Sequence, residues 1–254
     1  MDIHHSFAVT DLGEKLGAQV RYERYKPDEV TNERWVELLG ADVNNLDHLP
    51  LTYGLTRVFV SKLREKHPGL LNEHEEQVLQ TAALVHDWAE VIVGDISYSE
   101  KTEEDEAKEH QHLFELASRF SEGPLGELID EAVCDVVFAP ESKLGHIFNT
   151  VERTGYLRTG IRASQHVISK TDLDCEAGFR WIVADVLGNQ QVPLLDRSST
   201  YKPLEDYLKK QTPAISRAFE IISVEVFENY PVQERNTRLE NFNQSYDAWL
   251  NWTS

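Results

Sequence analysis

Within ten residues, His86, Asp87, Glu90 and Asp95 place one imidazole and three carboxylates among apolar neighbours, Leu84-Val85 on one side and Val91-Ile92-Val93 between. A histidine and a charged aspartate side by side in such surroundings cost several kcal/mol unless something compensates them, and a divalent cation does so directly. Adjacent helical residues point about 100° apart, yet both side chains can converge on an ion lying between their directions. Glu90 lies one turn on from His86 and three residues from Asp87, so it borders the same spot. The chemistry such a set supports is hydrolysis by a cation-activated water. Carboxylates outside the coordination shell would then carry protons.

The cluster sits towards the end of the best-defined helix the pattern predicts, over residues 73–93. Asn72 is a good N-cap, Glu73, Glu75 and Glu76 make an acidic first turn, and Gly94 stands just past the end. Val78-Leu79 and Ala82-Ala83-Leu84-Val85 are apolar nearly all round, which predicts a central, buried element. Elsewhere the hydrophobic period is helical almost throughout, with further candidates at 33–39, 49–66, 102–120, 124–138, 150–158, 160–188, 203–228 and 233–250. No sustained alternation marks a sheet, so the expected class is all-α. Two prolines and a Ser198-Ser-Thr cluster between Asn189 and Pro203 mark the expected boundary. It separates a main domain, 1–188, from a C-terminal helical extension, 189–254, packed on the same domain.

Composition narrows the partners. With 254 residues, 27% charged and a formal net charge of -19, the chain repels nucleic-acid polymers and anionic membranes. A small phosphorylated substrate stays compatible, because a cation and a few basic residues invert the field inside one pocket. Cys134 and Cys175 have apolar neighbours and read as two small buried thiols without a disulfide. Met-Asp-Ile-His-His lacks the basic and apolar regions of a signal peptide, and no apolar stretch approaches the ~20 residues of a membrane helix. The expected location is cytoplasmic.

The doublet His86-Asp87, followed by Glu90 and Gly94-Asp95-Ile96, resembles the HD-domain phosphohydrolase superfamily, and within it the 5′-deoxynucleotidase branch. Asn45-Leu46-Asp47-His48-Leu49 is similar to the family's first element, and Val167-Ile-Ser-Lys170-Thr-Asp172-Leu-Asp174 to its last, so the likeness covers about residues 33–180. It implies an HD helical bundle, metal ligands His48, His86, Asp87 and Asp172, and catalytic carboxylates Glu90 and Asp95. Asp174 competes with Asp172 for the distal ligand. The metal implied is one divalent transition ion, manganese, cobalt, zinc or iron. Arg34-Trp35 stands near the spacing of an Arg-Trp pair in similar enzymes, which implies an arginine forked onto phosphate and a tryptophan walling the sugar or base. Lys101 falls where such enzymes carry a phosphate-neutralising lysine.

On the 160–188 helix, Gln165 should share the face of Asp172, while His166 reads as a packing or surface residue. Other branches are marked down by missing signatures: Val91 rather than an aspartate follows Glu90, and neither a further nearby histidine nor a Gly-Tyr-Pro element is present. The activity implied is release of phosphate from (deoxy)nucleoside 5′-monophosphates, by a homodimer. The alternatives are another small phosphate ester, a nucleoside triphosphate, or a catalytically silent HD module for ligand sensing or assembly.

Overall fold

Asn72 starts its helix as its chemistry requires: the side chain accepts the Glu75 N–H at 2.9 Å, and the Glu75 carboxylate accepts the Asn72 N–H at 2.9 Å. The computed structural model describes residues 10–40, 43–94, 96, 101–120, 122–228 and 230–254. In chain order they form α1 (Asp11–Ala18), α2 (Asn32–Leu39), α3 (Asn45–Lys66), α4 (Glu73–Val85), α5 (Glu90–Val93) and α6 (Glu103–Ala117). There follow α7 (Gly123–Glu131), α8 (Lys143–Ser169), α9 (Glu176–Ser198), α10 (Lys202–Glu220), α11 (Glu225–Glu228) and α12 (Val232–Thr253). Among the described residues there is no strand, only an isolated antiparallel bridge between Val20 and Asn44. The protein is all-α. No helix of the described residues is long and apolar enough to cross a membrane.

Contacts divide the chain into two compact units, residues 1–22 with 40–152, and residues 23–39 with 153–254. In the first, α3 packs along α4, α1 packs on α3, and α4 also meets α7 and the π-helical turn Ala132–Val137 that prolongs it. Leu79, Ala82, Ala83 and Leu63 are fully buried at this centre, as the apolar faces of residues 78–85 predict. In the second unit α9 is central and packs on α10 and α12. Its Asp185 is buried and accepts hydrogen bonds from Tyr25 and Arg238, with burial pushing the carboxyl above its ordinary value against the pull of Arg238.

Five sequence expectations meet a different structure. Residues 73–93 are not one helix: α4 ends at Val85, and the backbone ladder changes to i→i−3 bonds, Trp88 to Val85 at 3.1 Å and Glu90 to Asp87 at 3.0 Å. Residues 160–188 are likewise interrupted, because Lys170 and Asp172 take left-handed φ values of 54° and 55°. Gln165 and Asp172 therefore share no helix. Asn189–Pro193, the start of the stretch expected to mark a boundary, lies inside α9. Pro193 cannot donate to the Asn189 carbonyl, and Arg153 Nη1 does so instead at 3.4 Å, which lets the helix continue. Cys175 is buried but Cys134 is exposed.

One glycine of the second unit is sterically required. A Cβ on Gly178 would lie 2.1 Å from the Tyr25 carbonyl oxygen and 3.1 Å from the Trp35 ring. Backbone cannot yield as a flexible side chain does, so Gly178→Ala should destabilise the protein by about 3 kcal/mol, the upper end for overpacking. Urea unfolding measures this, and a wild-type midpoint would contradict the packing described.

Candidate metal centre

Three side chains from two helices of the first unit converge. His48 is in the opening turn of α3, which Asn44 caps by accepting the Asp47 N–H at 3.2 Å. His86 caps the C-terminal end of α4, and the tightened turn that follows swings Asp87 to the same point. All three are buried, and one donor atom from each lies within 4.8 Å of the others. Asp87 is the hinge of the set. Its Oδ1 is 3.3 Å from His86 Nε2, and its Oδ2 is 3.6 Å from His48 Nε2.

The surroundings pull the two imidazoles in opposite directions. Burial, reinforced by Arg21 and His86, holds His48 well below the ordinary histidine value and so leaves it a neutral base. Burial acts the same way on His86, but the carboxylates of Asp87 and Glu152 outweigh it and raise its value. The His48 ring nitrogen Nε2 meets Thr52 Oγ1 at 3.1 Å, whereas His48 Nδ1 and both His86 nitrogens are buried without a hydrogen bond. Glu152 Oε1 is 3.0 Å from His86 Nε2, close but not aligned as a hydrogen bond. Orphaned imidazole nitrogens beside a buried carboxylate are the donor chemistry a transition metal requires.

Two basic residues of the described set, Arg21 and Lys101, pair with acids here. Arg21 Nη1 donates to Asp87 Oδ2 at 2.9 Å, with both side chains buried. Lys101 pairs with Glu109, and it keeps a raised value although burial opposes this, because Glu109, Glu90 and Asp87 all favour its charge.

Glu90 opens α5, where the helix N-terminus favours a carboxylate. It is buried, and its Oε2 accepts Asn45 Nδ2 at 2.6 Å while its carbonyl accepts Gln19 Nε2 at 2.5 Å. Asp95 lies outside the described residues. Arg34, Trp35 and Asp172 belong to the second unit. There Arg34 pairs with both Asp172 and Glu37, and Asp172 Oδ2 is 3.1 Å from His166 Nδ1. Trp35 is fully buried and stacks on Phe179 at 5.6 Å between ring centroids. Asp174 is exposed.

Arg21, Asn45 and Glu152 were missed by sequence reasoning. Their partners lie 45 to 66 residues away for the first two, and no local spacing announces them. The asparagine did have a signal, its place in the motif-like stretch Asn45-Leu46-Asp47-His48. No family model, no curated protein and no solved structure matches this chain.

Proposed function

We propose that the chain is a metal-dependent phosphohydrolase that releases phosphate from small monoesters, with (deoxy)nucleoside 5′-monophosphates as the favoured substrates. The buried His48–His86–Asp87 cluster with its orphaned ring nitrogens carries the metal half of this reading. The ester class rests on the motif resemblance and on the missing signatures of the other branches. When bound, a divalent cation acidifies a water and polarises a phosphoryl oxygen. His48, held well below the ordinary histidine value by burial, offers a lone pair without first losing a proton. A coordinating imidazole nitrogen must be free of its proton, so metal uptake through His48 and His86 would weaken as pH falls. Glu90, fixed by Asn45, receives the proton of the attacking water at its carboxylate and passes it towards the departing alkoxide. Lys101 adds positive charge on the side of Glu90 and Asp87, favouring an anionic substrate.

The test is a panel of nucleoside mono-, di- and triphosphates with added manganese, cobalt or zinc. Phosphate released from monophosphates alone is the expected result. Pyrophosphate or triphosphate release would move the activity to another class of nucleotide hydrolase. One observation favours a second reading, a silent sensing or assembly module: Arg21 already gives Asp87 an internal counter-charge. No turnover with any metal, together with a purified protein free of metal, would establish that reading instead.

A further inference from the structure

We propose that Gln19 is a positioning residue for Glu90, an inference that rests on the phosphohydrolase reading above. The chain leaves α1 in extended form at Gln19, with φ -93° and ψ 138°, and Val20 makes the isolated antiparallel bridge to Asn44. The Arg21 N–H donates to the Val43 carbonyl at 2.8 Å, and the Asn45 N–H to the Gln19 carbonyl at 3.3 Å. This short segment is thereby tied to the start of α3. Alternate side chains of an extended segment share a side. Val20 is buried in the core, while Gln19 donates to the Glu90 carbonyl and Arg21 to the Asp87 carboxylate.

Three hydrogen bonds close a ring through Gln19, Asn45 and Glu90. Gln19 Nε2 donates to the Glu90 carbonyl at 2.5 Å, Asn45 Nδ2 donates to Gln19 Oε1 at 2.9 Å, and the same Nδ2 donates to Glu90 Oε2 at 2.6 Å. The ring fixes both amides. Turned over, Gln19 would set its oxygen against the Glu90 carbonyl, and Asn45 would set its oxygen against two others. Gln19 therefore holds Glu90 twice, at the backbone directly and at the carboxylate through Asn45. Asn45 is fully buried, and its Oδ1 has no hydrogen bond among the described residues. A buried acceptor left unpaired costs stability, so packing gives no reason for an asparagine here. Fixing a carboxylate oxygen does. Gln19 is only partly buried, which makes it the better position for a test.

Gln19→Met keeps the length of the arm and removes both of its amide groups. Turnover of a nucleoside monophosphate by the full chain, with manganese or cobalt, should show kcat lowered by about 10- to 100-fold, the scale of an ångström's misplacement. KM and the metal content by elemental analysis should stay at their wild-type values. Added to Glu90→Gln, the same substitution should lower kcat by less than about twofold more, because the carboxylate it positions is already gone. A Gln19 that served only the fold would lose metal or folded protein, and would add its full loss to that of Glu90→Gln. Either result would overturn the assignment, as would wild-type kcat in Gln19→Met. Gln19→Leu takes its place if the methionine variant does not fold. A wild-type chain without turnover in any metal would overturn the phosphohydrolase reading itself, and this inference with it.

Discussion

Asp87→Ala protein, purified in parallel with wild type in buffer containing manganese or cobalt, should retain almost no metal. Asp87 is the residue through which the centre is joined, with one oxygen towards His86 and the other towards His48 and Arg21. Its removal takes away an anionic donor and also the carboxylate opposite a buried guanidinium. Breaking a buried ion pair from one side costs about 3–5 kcal/mol, so the variant should also melt earlier. Asp87→Asn keeps the shape and separates the two effects: it should fold better than the alanine variant and still lose metal. Elemental analysis after gel filtration gives the answer. Full occupancy in a folded Asp87→Ala protein would remove Asp87 from the ligand set.

Glu90→Ala should behave in the opposite way, keeping the metal and losing turnover. Glu90 is buried beside the cluster but is bound to Asn45 rather than to either histidine. A proton carrier contributes about 10²–10⁴-fold in rate, so under the proposed function kcat on a nucleoside monophosphate should fall by that factor at unchanged metal content. The alanine variant also removes the acceptor of the Asn45 amide. Glu90→Gln retains an acceptor there and should show nearly the same loss, because an amide cannot take the proton. Wild-type kcat in Glu90→Gln would end the catalytic role, and loss of metal would make Glu90 a ligand.

The helical class was legible because caps and periodicity agree locally. Asn72 with Glu75 starts α4, and the apolar run at residues 78–85 buries it. What the pattern hides is a change in the backbone ladder. Nothing in Val85-His86-Asp87-Trp88 distinguishes a continuing helix from the tightened turn that ends it, since both periods are satisfied by the same apolar neighbours. Pro193 misled for a related reason: a proline signals a break unless another group serves the carbonyl it abandons, and Arg153 is forty residues away. The His48, His86 and Asp87 cluster was legible from residue type and motif. Arg21 and Glu152 were not, because an ion pair closed by the fold leaves no trace in local spacing.

The loop between α8 and α9 constrains how the chain can vary. Lys170 and Asp172 both hold a left-handed backbone without being glycine, a conformation that costs most side chains about 1–2 kcal/mol. Glycine at 170 would relieve that strain at the expense of one exposed lysine. At 172 the same relief would remove the carboxylate that joins Arg34 to His166. Drift through random substitution should therefore pass easily through the first position and be resisted at the second, with asparagine the nearest tolerated neighbour, since it alone keeps both the turn and much of the hydrogen bonding.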